Sequence, residues 1–285
     1  MRIFKILSLI FISSFMPLYA NIQVIAAENF YGQVAKSIGG KYVDVTSIIS
    51  NPDSDPHLFT TSPKTMMAFS KAQVIIYNGL DYDPWINQML QSQQTKSTVE
   101  TINVGKLMGI KSSSNPHIWY NPYTFPTLAK KLTKIYAKIE PENKDYFKEN
   151  LISFMKNYHV VFKTIHQLKI KTNKLPVTAT EPVFGYMADA LGMNMKGKDV
   201  QWQIMNDTTP SPKMMAQYED LLTHREVKLL FYNNQVKEPA TETIKALAEK
   251  NHIAIIGVSE TMPPNDTVSQ WLQTTLNQIS TKVKQ

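Results

Sequence analysis

The 285-residue chain contains no cysteine. That excludes disulfides, thiolate nucleophiles and thiolate metal ligands, so a metal site here would have to use nitrogen and oxygen donors. It also removes the residue on which a lipid-anchored exported protein would be acylated just after its leader. Arginine is nearly as scarce. The formal charge of +7 is carried by scattered lysines and by two arginines, Arg2 and Arg225. Nucleic-acid readers cluster arginines for bidentate contacts, so that class is not expected, and the lysines read as a solvated surface. No run reaches the roughly 18 apolar residues of a membrane span. HExxH, GxSxG and Walker patterns are all missing, and with them the usual signatures of zinc proteases, serine hydrolases and nucleotide binders. There is no fixed-period repeat and no low-complexity tract, which excludes a solenoid.

What is present is an ordinary globular composition: 43% hydrophobic, 19% charged and 10% aromatic. The length suits one large domain or two lobes of roughly 120–130 residues each. The first 20 residues have a grammar of their own. Arg2 and Lys5 precede an apolar run, Ile6–Met16, which Pro17 breaks before a cleavage site at Leu18-Tyr19-Ala20. This is a secretory signal peptide, and its apolar run is too short to span a bilayer. With a leader and no cysteine to acylate, the expected address is the free periplasm.

From residue 21 onward, short β-branched runs alternate with helical patterns, which signals an α/β fold with parallel strands. Strands are expected at Ile22–Ala26, Val43–Ile49 and Val74–Tyr77, with helices at Tyr31–Ile38, Pro63–Lys71 and Pro84–Gln91. A longer pattern follows. Phe147, Leu151, Phe154, Tyr158, Val161, Ile165 and Leu168 recur at steps of four and three. They make one apolar stripe along a helix of about 28 residues, roughly 40 Å long. A helix of that length reads as a spine between two lobes. Beyond it, strands are expected at Leu175–Ala179, Val200–Ile204, Val227–Tyr232 and Ile253–Val258, with helices at Val183–Leu191, Pro212–Leu222, Ala240–Lys250 and from about Thr267. The expected division is an N-terminal α/β lobe over residues 21–140, a linking helix over 141–171 and a C-terminal α/β lobe over 172–285.

Two of the six histidines sit in nearly the same phrase, DPHLF at Asp55–Phe59 and NPHIW at Asn115–Trp119. Proline fixes φ and the preceding Asx favours a turn, so each histidine is held on a short stiff loop with an aromatic behind it. Taken singly, either could be a turn histidine with no role. Two carboxylates change the reading. Glu181 follows one expected strand of the second lobe, in TATEPVF, and Glu260 follows another, in GVSETMPPN. Ligands of open α/β sheets bind outside the carboxyl ends of strands. His57 and His117 from one lobe and Glu181 and Glu260 from the other therefore make a candidate four-ligand metal site in the inter-lobe cleft. His159 and His166 on the long helix, His224 near a helix end and His252 before a strand do not fit. The methionine pairs at 66–67 and 214–215 are expected as core filler.

With those motifs in place, the chain resembles the metal-binding subunits of bacterial ABC importers for zinc and manganese, the cluster with a rigid linking helix. The segments that carry the likeness are DPHLFTTSP, VIIYNGLDYDPWI, NPHIWYNP, the long helix, TEPVFGYMADALGM and GVSETMPPN. The resemblance implies ligands at His57, His117 and Glu181. The fourth ligand of that family is usually aspartate; here the match is Glu260, with Asp266 as the alternative. The His- and acid-rich loop of many zinc binders is missing, since Gln91–Ser114 holds no histidine. The implied function is capture of Zn²⁺ or Mn²⁺ as transported ligand and its delivery to a membrane permease, by a monomeric, non-enzymatic protein. Carboxylates shift preference toward manganese, while the Irving–Williams order keeps zinc slightly ahead. The alternatives are a metal-dependent periplasmic hydrolase using a bound water, and an interaction protein with a structural metal.

Overall fold

The computed structural model describes residues 21–51, 59, 61–92 and 98–283. The expected signal peptide and His57 lie outside these residues. Strand β1 (Ile22–Glu28), α1 (Asn29–Gly39), β2 (Val43–Ile49), α2 (Pro63–Lys71), β3 (Val74–Tyr77), α3 (Pro84–Ser92), β4 (Glu100–Asn103), α4 (Val104–Leu107) and α5 (Thr124–Ile139) form the first half. The long helix α6 (Lys144–Thr172) follows. The second half contains β5 (Pro176–Ala179), α7 (Gly185–Ala190), β6 (Asn194–Met195), α8 (Lys198–Met205), α9 (Pro212–Thr223), β7 (Leu229–Asn233), α10 (Pro239–Lys250), β8 (Ala254–Val258) and α11 (Val268–Lys282).

Each half builds a four-stranded parallel sheet, ordered β2-β1-β3-β4 and β6-β5-β7-β8. The two orders are the same, so each sheet reverses its winding between its two central strands. The crevices outside β1/β3 and β5/β7 are therefore where ligands are expected to bind. Both faces of each sheet are covered, as parallel sheets require. Along β1, Val24 and Ala26 face the principal core while Ile25 and Ala27 face a smaller cluster with Ile75, Trp85 and Ile86. Along β7, Leu229 and Phe231 face the principal core and Leu230 faces Tyr218, Leu222 and Ile244. This is the two-residue period of a strand buried on both sides.

The principal core is continuous through both halves. It includes Phe30, Trp119 and Phe125 from the first, Tyr158 and Val161 from α6, and Phe231 and Trp271 from the second. Phe30 stacks on Trp271 at 5.6 Å between ring centroids, and Tyr120 meets Phe184 edge-on at 5.1 Å. Helix α6 buries Phe147, Phe154, Tyr158, Val161, Ile165 and Leu168, the stripe that its sequence spacing predicts except that Leu151 is half-buried. No helix of the described residues is long and apolar enough to cross a membrane.

Several helix starts are written locally. Ser62 and Ser211 accept the amides of Thr65 and Met214 at the starts of α2 and α9, each with proline at the first helical position. Thr267 and Gln270 form a reciprocal capping box at α11.

Three local expectations fail. Val200–Ile204 is helical, within α8, rather than a strand. In the sequence Val-Gln-Trp-Gln-Ile the apolar positions alternate, but of these Val200 and Ile204 are buried, with Gln201 beside them, while Trp202 is 40% exposed. The pair that packs is four residues apart, which is a helical interval. Strands β4 and β6, both at sheet edges, were not expected; they are short, and their few buried side chains give little periodic signal. Met67 is 63% exposed rather than core filler, although Met66, Met214 and Met215 are half-buried and pack against the core clusters as expected.

Candidate metal centre

His117 lies between α4 and α5, just before a single 3₁₀ turn, Ile118–Tyr120. It is fully buried. Its phrase NPH does more than set a turn. The Asn115 amide donates through Nδ2 to the Pro182 carbonyl at 2.7 Å, which leaves Oδ1 facing the histidine. That oxygen accepts the His117 backbone N–H at 3.1 Å and lies 2.6 Å from the ring Nδ1. An acceptor at Nδ1 places the ring proton there, so Nε2 carries a lone pair. Nε2 is buried, has no hydrogen-bond partner among the described residues, and sits 3.7 Å from Glu260 Oε2. That separation is too long for a hydrogen bond. Two atoms that share one zinc ion at about 2.1 Å each, at a tetrahedral angle, stand roughly 3.4 Å apart.

The carboxylates come from the second half. Glu181 lies two residues past β5 and Glu260 two residues past β8, 5% and 3% exposed. Asn233, the last residue of β7, joins them: its Nδ2 donates to Glu181 Oε2 and to Glu260 Oε1, both at 2.7 Å. Its Oδ1 accepts the Gln235 backbone N–H at 3.1 Å. Gln235 in turn accepts the Glu260 backbone N–H through Oε1. Tyr82 donates to Glu260 Oε2 at 3.0 Å. Burial and the charge of Glu260 push the Tyr82 hydroxyl well above the usual phenol range, so it remains a neutral donor.

The segment bearing Glu260 is fastened to the opposite half. Asn29 grips Met262 through two hydrogen bonds, Nδ2 to the carbonyl at 2.7 Å and Oδ1 from the amide at 3.2 Å. Tyr120 donates to the Ser259 carbonyl at 3.0 Å, and Gln33 accepts the Val268 amide at 3.2 Å.

Below the site, at the end of β1, lies a second acid pair. Glu28 is 1% exposed and receives no hydrogen bond from any donor among the described residues. Its neighbour Asp83 accepts the amides of Asn78 at 2.6 Å and Gly79 at 2.8 Å. Burial and the neighbouring Asp83 push the Glu28 carboxyl well up, while burial raises Asp83 to about 6 against the pull of its two amides. Of the two, Glu28 is the carboxyl that burial and its acidic neighbour push toward the protonated form.

Of the four expected ligands, the structure brings His117 and Glu260 face to face and ties Glu181 to Glu260 through Asn233. His57 lies outside the described residues. Phe59, just after it, packs on Trp85 at 4.5 Å. Among the described residues no three His, Asp or Glu side chains converge closely enough to hold a metal by themselves. Asp266 is half-buried and lines a surface groove with Lys36, Asp44 and Pro263. Asn233 and Gln235 were not singled out in the sequence, while Asn115 was read only as a turn former and Tyr82 only as part of the VIIYNGLDYDPWI motif. A search limited to histidines and carboxylates passes over amides, although the strand-end position of Asn233 was legible.

A profile of the family described as the periplasmic component A of zinc-uptake complexes matches residues 24–282. The chain belongs to that family. Its members are binding and transport proteins, so this is a periplasmic divalent-metal-binding protein of an ABC importer and not an enzyme, which sets the hydrolase alternative aside. Family membership implies a permease as its partner. The chain is similar to the manganese-binding lipoprotein MntA of Bacillus subtilis, 26% identical over 83% of this chain and 79% of that protein. It is also similar to the manganese ABC transporter substrate-binding lipoprotein PsaA of Streptococcus pneumoniae, 22% identical over 78% and 75%. Among solved structures, the periplasmic zinc binding protein TroA from Treponema pallidum superposes with a TM-score of 0.77. That match is 15% identical and covers 93% of this chain and 99% of that one. These structural likenesses show the shared two-lobed fold.

Proposed function

We propose that the protein captures Zn²⁺ or Mn²⁺ in the inter-lobe cleft, with zinc ahead, and hands it to the membrane permease of its importer. The ligands are His57, His117, Glu181 and Glu260. The observation that carries this reading is the buried Nε2 of His117, without a hydrogen-bond partner among the described residues, its lone pair fixed by Asn115, standing 3.7 Å from Glu260 Oε2. A buried imidazole nitrogen without a hydrogen-bond partner is costly unless a ligand completes it. A cation at that point would meet one neutral donor from the first half and anionic donors from the second. The named relatives point both ways, since one neighbour is described as zinc binding and others as manganese binding. The leader at residues 1–20 would carry the chain to the periplasm, where the cargo is captured.

The reading is tested by elemental analysis of protein purified without chelators, repeated on His117→Ala. Stoichiometric zinc or manganese in the wild type and its loss in the variant are expected. A wild-type protein that takes up neither metal overturns the reading.

A further inference from the structure

We infer that the groove between α1, α6 and α11 binds a neutral saccharide of about disaccharide size. This surface lies outside the metal centre, and its role does not depend on the metal reading.

The groove encloses about 610 Å³, within the range of small-molecule sites. Such sites are mostly apolar, with a few polar groups. This one is the reverse. Eleven of the fourteen described residues that line it carry an amide or a hydroxyl, and none is charged. The surface around it differs, since α6 alone carries six lysines, all outside the groove. An ionic ligand would find no counter-charge here, so its desolvation would go uncompensated. An apolar ligand would cover polar groups and leave them unsatisfied.

The groups left for a ligand are mixed in kind. The Asn157 side chain and the Ser153 hydroxyl, one turn apart on α6, have no partner among the described residues. Asn150 donates through Nδ2 to the Ile38 carbonyl at 2.9 Å and keeps its Oδ1. On α11, Gln270 Oε1 accepts from Thr267, and Asn277 Oδ1 accepts from Gln273. Each of these two keeps its amide nitrogen as a donor. Acceptors thus come from α6, and donors from both α6 and α11. A sugar hydroxyl donates and accepts at once, and a planar amide presents both functions side by side. Phe154, 8% exposed, and Val160, 43% exposed, supply apolar surface for the C–H face of a sugar ring. The groove also joins the two halves, because Gln33 of α1 accepts the Val268 amide of α11 within it.

The test is titration of the purified protein with trehalose, maltose, maltohexaose and digalacturonate, followed by amide NMR shifts. It is repeated on Asn157→Ala and Ser153→Lys, both at exposed positions of α6 outside the metal centre. Saturable shifts of the groove amides with the neutral sugars are expected in the wild type. Affinity should fall about tenfold in Asn157→Ala, the loss of two hydrogen bonds of ordinary net strength. It should vanish in Ser153→Lys, which puts a charged chain into the groove. Equal affinities for the neutral sugars support a free disaccharide as the ligand, and tighter binding of maltohexaose supports a glycan chain. No saturable shift with any neutral sugar overturns the inference. So do shifts that persist unchanged in a folded variant, or tighter binding of the anionic digalacturonate than of maltose.

Discussion

Single residues at this site act mainly by fixing the state of their neighbours. Asn115 decides which nitrogen of His117 keeps its lone pair, and Asn233 decides which oxygen of each glutamate is tied. Glu28 and Asp83 are a different case, since two buried acids share space that water cannot reach. Asp83 caps the Asn78-Gly79 turn as an acceptor, so burial favours the proton on Glu28. A carboxyl whose folded-state affinity for protons is raised contributes stability below its ordinary range, near 4.3, and loses it as pH rises through the raised value. Glu28→Gln mimics the protonated form permanently. It should raise the melting temperature at pH 8, by an amount equivalent to about 1–3 kcal/mol, and change it little near pH 4. A shift of equal size at both pH values, or a lower melting temperature at pH 8, would show that Glu28 is ionised in the folded protein.

Among the elements, the segment between β8 and α11 stands out. It springs from the second half, carries Glu260, and is bonded to Asn29, Gln33, Tyr82 and Tyr120 of the first half. Glu260 thus belongs by sequence to one lobe and by hydrogen bonding to the other. Asn29→Ala removes the two-point grip on Met262. Hydrogen exchange of the amides from Ser259 to Val268 should accelerate, with a loss of about 1–2 kcal/mol in global stability. Unchanged exchange in that segment would mean that Tyr82, Tyr120 and Gln33 hold it without Asn29. Helix α6 and the capped helices were legible from spacing and caps alone. Helix α8 was not, because alternating Val-Gln-Trp-Gln-Ile fits a strand until burial shows that Trp202 is on the outside.

At the scale of the whole molecule, the continuous core argues against a wide hinge. Phe30 against Trp271 and Tyr120 against Phe184 cross between the halves, and α6, about 43 Å long at 1.5 Å per residue, packs on α1, α5 and α11. Opening the cleft widely would expose those rings to water, at roughly 25 cal/mol for each Å² of apolar surface. Small-angle scattering of stripped and metal-loaded protein should therefore give nearly superimposable curves. A large compaction on loading, of the kind expected from hinge closure, would show that this core parts.

The sequence by itself determined the alternation of strands and helices, the spine and the strand ends on which Glu181 and Glu260 stand. These follow from local periodicity, turn chemistry and caps, each written within a few neighbouring residues. It also marked His117 through its stiff Asn-Pro frame. Only the tertiary structure decided that Glu260 faces His117 across 143 residues of chain, that Asn233 ties Glu181 to Glu260, and that the Glu260 segment is bonded to the far lobe. Those pairings depend on how two sheets are turned toward each other over a shared core. No spacing along the chain encodes that, because an amide 52 residues from one glutamate and 27 from the other looks like any asparagine until the strands are set side by side.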